Sequence, residues 1–154
     1  IVSVQEDTFT VDFNHPLAGK EICLDVDIIK LVKTAGLANV ELDWAEDYDT
    51  GLALSYEKNK PAVVVLYAGW CGYSKRFLNE SLQSSIIKTL KDDFVWVQVD
   101  SDQNSELKDL YSQTSFPLTV VVGPKGDILG RITGFKDAPA LYQILRQAIE
   151  KESA

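Results

Sequence analysis

The amino-acid sequence predicts an α/β fold in which a mixed β-sheet has helices on both of its faces. Residues 62–68 and 94–99 are continuous apolar runs, which are typical of strands buried on both faces. Amphipathic helical patterns alternate with these runs, and residues 118–132 predict a β-hairpin. From residue 62 onwards the predicted order of elements is β-α-β-α-β-β-α, which places helices on both sides of one sheet.

The composition is that of a globular domain and excludes several classes of protein. The 154 residues can bury a sizeable core, and 45% hydrophobic with 25% charged residues is close to the globular average. A net charge of −8 argues against nucleic acid or an anionic membrane as the main partner. No apolar run approaches the ~20 residues of a membrane span. Two cysteines and one histidine cannot supply a four-ligand zinc site without carboxylates, so we expect no metal and no other cofactor.

Two segments of the chain differ in character. Residues 1–33 predict β-strands, with alternating apolar positions on either side of turn-forming residues 14–20. The pattern breaks over residues 34–40, which predicts a linker, and residues 41–154 form the predicted second domain. Because the chain begins with Ile1 and contains no methionine, we expect it to be a piece of a longer protein.

Helices in the second domain are predicted from apolar residues spaced three and four apart. An acidic cluster precedes the first helix and is interpreted as its solvated entry; it consists of Asp43, Glu46, Asp47 and Asp49. The apolar positions that predict the four helices are, in order, Trp44, Tyr48, Leu52 and Tyr56; Phe77, Leu78, Leu82, Ile86 and Leu90; Leu107, Leu110 and Tyr111; and Leu141, Ile144, Leu145, Ala148 and Ile149. Pro61 is expected to end the first of these helices.

One cysteine lies where the chain passes from a buried strand into a helix. In the sequence WCGYSK at residues 70–75, Cys71 falls at the first helical turn. Unpaired backbone N–H groups and the positive end of the helix dipole favour thiolate over thiol at such a position. Since the thiolate is the nucleophile in disulfide exchange, Cys71 is the candidate nucleophile. Cys23, in the middle of a predicted strand, is expected to be inert.

Two segments of the second domain resemble the thioredoxin family. Residues 70–75 are similar to its W-C-G-x-C-K motif, and residues 116–119 (FPLT) are similar to its cis-proline segment. The order of elements over residues 41–154 also follows the family, and the helix that ends before Pro61 resembles the secreted or periplasmic branch, which handles protein disulfides. The resemblance implies a thioredoxin fold, a catalytic Cys71 and a cis bond before Pro117. It also implies a substrate groove, formed by Trp70, Gly72, Tyr73, Phe116 and Pro117.

Several positions depart from the thioredoxin pattern. Ser74 stands at the position of the family's second, resolving cysteine, and a hydroxyl cannot displace a substrate disulfide. Val65 and Trp96 occupy the positions of a buried aspartate and its lysine partner, so we do not expect the family's proton relay. Phe116 is a bulky residue before the proline and would change the shape of the groove. The motif therefore suits formation of a mixed disulfide better than a complete two-cysteine cycle.

Two interpretations account for Ser74. The first is a natural one-cysteine protein that works by glutathione-assisted exchange or as a disulfide-holding chaperone. The second is an engineered cysteine-to-serine change that prevents oxidation or traps a substrate. The lack of an initiator methionine favours the second interpretation.

The first segment of the chain resembles a different family. The sequence VDFNHPLAGK at residues 11–20, followed by an alternating strand at residues 22–28, is similar to the last part of FKBP-type prolyl isomerases of the SlyD-like kind. The resemblance places Leu24 at the wall of an apolar pocket. Residues 1–33 contain no complete site, so we expect no isomerase activity from this chain. His15 is interpreted as a turn residue.

Together these features predict a thiol-disulfide exchange domain of a protein-folding factor, with protein or peptide substrates that carry disulfides or thiols. Prolyl isomerisation and disulfide exchange are both slow folding steps, so a parent protein that combines them would act on exported chains. An oxidising compartment such as the periplasm is therefore expected. Two alternatives stay open: a redox-inert thioredoxin-fold module that binds unfolded chains or a partner, and a fragment of a prolyl isomerase.

Overall fold

The structure is a computed structural model that describes the backbone of residues 3–5 and 8–10 and, with their side chains, residues 40–152. The chain divides into two compact units, residues 1–31 and residues 32–154. The thioredoxin-like features predicted from the sequence all belong to the second unit, which is the larger one.

The first unit contains a short β-hairpin. Strand β1 (Ser3–Gln5) pairs antiparallel with strand β2 (Thr8–Thr10), in agreement with the β character predicted for this segment. The FKBP-like features lie outside the described residues: these are the turn with His15 and the strand with Cys23 and Leu24. The predicted linker over residues 34–40 also lies outside them, apart from its last residue.

Residues 40–152 form alternating helices and strands. In chain order the described elements are α1 (Tyr48–Lys58), β3 (Ala62–Tyr67), α2 (Gly72–Arg76), a π-helical turn (Phe77–Ser81), α3 (Ser85–Lys88), β4 (Val95–Asp100), α4 (Ser105–Leu110), β5 (Leu118–Val122), β6 (Ile128–Thr133) and α5 (Ala138–Glu152). The predicted order of strands and helices is confirmed, and each predicted strand bound differs from the observed one by at most one residue.

The strands β3 to β6 form one mixed sheet in the order β4-β3-β5-β6. Strand β3 is parallel to β4 and antiparallel to β5, and β5 is antiparallel to β6. The turn between β5 and β6 contains Gly126, whose φ of 88° lies in the left-handed region that glycine adopts without a steric cost. The predicted mixed sheet and hairpin are therefore confirmed.

Each face of this sheet carries its own apolar core. Because side chains alternate along a strand, Val63 and Val65 of β3 belong to one core, while Val64 and Leu66 belong to the other. Helices α3 and α5 cover the first core, and α1 and α4 cover the second. Leu110 lies in α4, as predicted, but its side chain is 64% exposed. Helix α4 is short and turns only one narrow face to the sheet.

Helix α1 begins later than its predicted pattern. Asp47 caps it, because its carboxylate accepts a hydrogen bond from the Thr50 N–H at 2.7 Å. Trp44 lies before the cap and forms an isolated parallel bridge with Trp96 of β4, and Tyr56 is 76% exposed. Trp44 therefore lies outside the helix to which the pattern assigned it, whereas Tyr56 lies in α1, as predicted, with an exposed side chain. Residues four apart drift by about 40° per step around a helix of 3.6 residues per turn, so the pattern leaves the buried face.

The acidic cluster before α1 is exposed to solvent, as predicted for a helix entry. Asp47 supplies the cap, and Asp49 lies in the first turn, where a carboxylate suits the positive end of the helix. Asp43 also forms an ion pair with Lys91 at 3.0 Å, which links the segment before α1 to the segment before β4.

The single helix predicted over residues 77–90 is interrupted. Helix α2 continues into the π-helical turn, and Ser84 then adopts an extended backbone before α3 begins. The buried Ser81 hydroxyl lies in the π-helical turn and donates a hydrogen bond to the Lys136 carbonyl at 2.6 Å. The prediction of one continuous helix is wrong, because contacts outside the helix fix the backbone here more strongly than the apolar spacing does.

Removal of residues 1–36 is expected to leave a folded domain. All of the core side chains that the structure describes lie between Leu42 and Ala148, so both cores can close without the removed segment. Urea unfolding of the truncated chain, followed by circular dichroism, should remain one cooperative transition.

The control for this truncation is Leu145→Ala within the shortened chain. Leu145 is fully buried, and its truncation should lower the free energy of unfolding by about 2–5 kcal/mol. A gradual, non-cooperative transition for the shortened chain without this substitution would contradict the expectation.

Candidate active site

Cys71 lies at the junction between the central strand β3 and helix α2. The Cys71 N–H donates a hydrogen bond to the Ala68 carbonyl at 3.0 Å, which closes a turn just after the strand. The Cys71 carbonyl accepts the Lys75 N–H at 3.1 Å, so Cys71 is the N-cap residue of α2. Its side chain is half-buried. The predicted position of this cysteine at the start of a helix is confirmed.

Hydrogen bonds at the start of α2 lower the pKa of the Cys71 thiol. The hydrogen bond from the Ser74 N–H lowers this pKa the most, and partial burial of Cys71 raises it. Hydrogen bonds from the Ser74 hydroxyl and the Tyr73 N–H lower it further. The two N–H groups are among the unpaired donors that every helix presents at its N-terminus, and they stabilise the thiolate. Cys71 is therefore more acidic than an ordinary cysteine, which is a property of reactive thiols.

Ser74 is fully buried, in spite of its hydroxyl group. The hydroxyl oxygen accepts a hydrogen bond from the Ala68 N–H at 3.4 Å, and the same hydroxyl interacts with the Cys71 sulfur. Ser74 therefore ties the end of β3 to the start of α2. Because serine carries no sulfur, Cys71 supplies the only sulfur atom that the described residues place at this site.

The loop before β5 reaches the Cys71 sulfur. The Phe116–Pro117 peptide bond is cis, which confirms the isomer implied by the resemblance. The Phe116 carbonyl oxygen lies 4.0 Å from the Cys71 sulfur. The Gly134 N–H donates to the Pro117 carbonyl at 2.8 Å, so the end of β6 also supports this loop.

Aromatic side chains lie beside the half-buried sulfur. Trp70 is 69% exposed and Tyr73 is 63% exposed, and the Trp70 ring packs edge-on against the Phe116 ring with 5.3 Å between the centroids. Gly72 leaves open space, since no atom lies within 4 Å of where a Cβ would stand. We call Trp70, Tyr73 and Phe116 the aromatic surface. Contiguous exposed apolar side chains of this kind are typical of binding sites.

The predicted site residues meet at one end of the sheet; they are Trp70, Cys71, Gly72, Tyr73, Ser74, Phe116 and Pro117. Two further residues of this region were not identified from the sequence. The Ser101 hydroxyl donates to the Gln113 side chain at 2.9 Å, and the Gln113 amide also contacts the Ser115 carbonyl. Neither residue belongs to the motif or carries a charge, so nothing in the sequence pattern marks them.

The interior behind the site is apolar at Val65 and Trp96, which the resemblance places at the family's buried aspartate and lysine. Both side chains are buried in the core that α3 and α5 cover. The Trp96 indole N–H donates to the Lys91 carbonyl at 3.2 Å, so its polar atom is satisfied. Neither the Val65 nor the Trp96 side chain can pass a proton to or from Cys71.

The described residues contain neither a metal-binding cluster nor a membrane-spanning helix. Within residues 40–152, no three of the side chains that commonly bind metals come together. No helix in the described part of the chain combines the length and apolar character needed to cross a bilayer.

Residues 48–149 match the sequence profile of the thioredoxin-like domain family. The match covers more than half of the chain, so the chain belongs to the thioredoxin-like family. It is 33% identical over 113 residues to the thiol:disulfide interchange protein DsbD of Cronobacter sakazakii, and the match covers 69% of this chain. The chain spans only about a fifth (19%) of that relative's length.

Solved structures show the same fold. The solution structure of a thioredoxin from Thermus thermophilus superposes with a TM-score of 0.67 at 25% identity, over 73% of this chain and 91% of that one. A DsbH oxidoreductase superposes with a TM-score of 0.63 at 24% identity, over 82% of this chain and 95% of that one. The curated relative is thus a thiol:disulfide interchange protein, and the solved structures show that the fold is shared.

The Cys71 thiol is expected to ionise below the pKa of ~8.5 that is typical of free cysteine. Iodoacetamide alkylation of Cys71, measured across pH by peptide mass spectrometry, should therefore show its transition below that value, and Cys23 should react more slowly. Because folding lowers this pKa, the thiolate stabilises the folded chain above the ordinary pKa. That contribution is lost as the pH falls through the lowered value.

Ser74→Ala is the matched control for this titration. It removes the hydroxyl but keeps the backbone N–H of residue 74, which contributes most to the lowered pKa, so the transition should rise only slightly. An alkylation transition at or above ~8.5 in the unmodified chain would contradict a lowered pKa for Cys71.

A carboxylate at position 65 should destabilise this chain. Val65 is fully buried among apolar side chains, and Trp96 offers no cation to a buried charge. We expect Val65→Asp to lower the free energy of unfolding at pH 7 by about 3–5 kcal/mol, the cost of an uncompensated buried charge. Urea unfolding measures this loss, and Val65→Thr, which has the same shape and no charge, should lose less. Equal stability of the two variants would show that the interior accommodates the carboxylate.

Proposed function

We propose that residues 41–154 form a thiol-disulfide exchange domain in which Cys71 is the nucleophile. The proposal rests mainly on the Cys71 thiol, whose pKa is lowered by the N–H donors of a helix N-terminus. The Cys71 side chain is only half-buried, and its sulfur lies 4.0 Å from the Phe116 carbonyl oxygen. The relationship to a thiol:disulfide interchange protein supports the same chemistry.

The proposed reaction is a single thiol-disulfide exchange. The Cys71 thiolate attacks one sulfur of a substrate disulfide, and a new bond forms between Cys71 and that sulfur. The substrate S–S bond breaks at the same time, and the second substrate sulfur leaves as a thiolate that takes a proton from water. Cys71 is thereby oxidised to the mixed disulfide, and the departing substrate sulfur is reduced.

Release of the substrate requires a thiol from outside the domain. Ser74 stands where a resolving thiol would be, and its hydroxyl cannot attack the mixed disulfide. A further thiol of the substrate can attack it, which rearranges the substrate's disulfides. A small thiol such as glutathione can attack it instead; a second small thiol then completes the reduction of the substrate, and the two small thiols are oxidised to their own disulfide. Both routes regenerate the Cys71 thiolate.

Protein or peptide chains are the proposed substrates. The aromatic surface offers apolar contacts next to the sulfur, and the open space at Gly72 leaves room for an extended chain to approach Cys71. The Phe116 ring packs against Trp70 and narrows this surface on one side. We therefore assign substrate contacts to Trp70, Gly72, Tyr73, Phe116 and Pro117.

The wider role that we propose is in the folding of exported proteins. Disulfide exchange on protein substrates belongs to oxidising compartments such as the periplasm, because cytosolic thiols are kept reduced. The resemblance of residues 1–33 to the end of an FKBP-type prolyl isomerase supports a parent protein that also acts on slow folding steps. The domain division that we propose is residues 1–33, a linker over residues 34–40 and residues 41–154.

One observation favours a second function, that of a binding module without redox turnover. Ser74 removes the resolving sulfur while the exposed rings of Trp70 and Tyr73 are kept. A module of this kind would hold an unfolded chain or a partner through the aromatic surface. Binding of a cysteine-free peptide with unchanged affinity in Cys71→Ser would favour this function over disulfide exchange.

The unmodified chain should accumulate a mixed disulfide with a peptide whose single cysteine is joined by a disulfide to a small aromatic thiol. Cys71 attacks the peptide sulfur and the aromatic thiolate leaves, because a thiol of low pKa is a good leaving group and a poor nucleophile. Neither the motif nor the peptide then holds a second thiol, so the covalent adduct should persist until a small aliphatic thiol is added. Non-reducing electrophoresis with mass spectrometry identifies the adduct and the cysteine that bears it. Cys71→Ser is the control and should form no adduct, whereas an adduct on Cys23 alone would contradict the proposal.

Ser74→Cys should convert the domain into a two-cysteine reductase. The new thiol lies in the first turn of α2 near the Cys71 sulfur, so it can attack the mixed disulfide and release the substrate. Insulin reduction above the rate of dithiothreitol alone should be clear in this variant and much slower in the unmodified chain and in Ser74→Ala, which depend on dithiothreitol to release the substrate. If Ser74→Cys forms no internal disulfide, the geometry around Cys71 does not permit the two-cysteine cycle.

A further inference from the structure

The Gln113 side chain joins three segments that meet behind the active site. Its amide oxygen accepts a hydrogen bond from the Ser101 hydroxyl at 2.9 Å. Its amide nitrogen lies 3.3 Å from the Ser115 carbonyl oxygen and 3.5 Å from the Leu66 carbonyl oxygen. One side chain therefore touches the end of β3, the residue after β4 and the loop before β5.

The partners fix which way the Gln113 amide faces. The Leu66 and Ser115 carbonyls can only accept hydrogen bonds, so the amide NH₂ must point to them. The amide oxygen then points to Ser101, whose hydroxyl must act as the donor. Ser101 is fully buried, and its own N–H donates to the Tyr67 carbonyl at 2.8 Å, which keeps it in register with the end of β3.

These segments carry both halves of the active site. Leu66 lies five residues before Cys71, and Ser115 directly precedes Phe116, whose carbonyl oxygen is 4.0 Å from the Cys71 sulfur. The Ser115 hydroxyl has no hydrogen-bond partner among the described residues. In this part of the loop the Ser115 main-chain carbonyl, and not its side chain, therefore makes the polar contact with Gln113.

We propose that Gln113 is a positioning residue for the disulfide exchange: its amide holds the Phe116–Pro117 loop at the distance from Cys71 that an extended substrate requires. The inference rests on the proposed function, and it adds a residue that contacts neither the sulfur nor the substrate. Gln113 itself is positioned by the end of α4, where its N–H donates to the Lys108 carbonyl at 2.8 Å.

Gln113→Met tests this proposal, because methionine has a similar length and lacks the amide. Two rates are measured on the full chain. One is the rate of mixed-disulfide formation between Cys71 and the substrate peptide disulfide, and the other is the rate of Cys71 alkylation by iodoacetamide. Both are followed by mass spectrometry of the proteolytic fragment that contains Cys71. Both reactions use the same thiolate, but only the peptide needs the loop. We expect the peptide rate to fall about threefold to tenfold, as the loss of one or two hydrogen bonds implies, and the iodoacetamide rate to stay within about twofold.

Ser115→Ala is the matched control. It removes a hydroxyl that has no partner among the described residues and keeps the carbonyl that Gln113 contacts, so both rates should equal those of the unmodified chain. Equal slowing of both reactions in Gln113→Met would overturn the proposal, as would no slowing of either. If the unmodified chain forms no mixed disulfide at all, the proposed function itself fails, and this inference fails with it.

Gln113→Glu provides a second test that does not depend on the folding of the methionine variant. A protonated glutamate can still donate to the Ser115 carbonyl and accept from Ser101, whereas an ionised one repels both carbonyls that the amide contacts. The ratio of the peptide rate to the iodoacetamide rate should therefore be close to that of the unmodified chain at low pH and fall as the pH rises. A purely structural role predicts no such pH dependence of the ratio, and a constant ratio would count against positioning.

Discussion

The candidate active site depends on strand β3 being buried on both faces and paired on both edges. Its apolar side chains enter two cores at once, and β4 and β5 pair with its two edges. Because β3 is held in this way, the position of its end is fixed, and the turn after it places Cys71 at the start of α2. The loop before β5 is placed by the same pairing, because Leu118 lies opposite Leu66. Packing of the sheet thus brings the Cys71 sulfur and the Phe116–Pro117 loop to the same end of the sheet, where we propose that Gln113 holds them at their distance.

The polar groups around the sulfur are few, and each has a separate task. Ser74 gives its N–H to the Cys71 thiolate and uses its hydroxyl oxygen to accept the Ala68 N–H, so one residue both activates the nucleophile and secures the strand end. Farther back, Val65 and Trp96 make the interior apolar, so that activation relies on donors at the helix terminus. The pKa of the Cys71 thiol is thus lowered by hydrogen-bond donors, without a buried proton acceptor at positions 65 and 96.

The features that could be predicted from the sequence are those with a local signal. The apolar run of β3, the hairpin and the cysteine at a strand–helix junction all follow from patterns within a few residues, and the structure agrees with them. The break before α3 depends on contacts with distant segments, such as the hydrogen bond from Ser81 to the Lys136 carbonyl, which helical spacing does not encode. The contact between Ser101 and Gln113 joins neutral side chains twelve residues apart, so no charge or motif marks it.

The serine at position 74 has a consequence for timing. In a two-cysteine oxidoreductase the second cysteine breaks the mixed disulfide from within the protein. The lifetime of that mixed disulfide therefore does not depend on the thiol concentration of the surroundings. With a buried hydroxyl in place of the second thiol, a substrate that has no further thiol of its own is released only in a bimolecular reaction, and the half-life scales inversely with the concentration of the thiol that the surroundings supply. The proposed mixed disulfide would then be long-lived in an oxidising medium and short-lived in a reducing one, so the occupancy of Cys71 would report the redox state of its compartment.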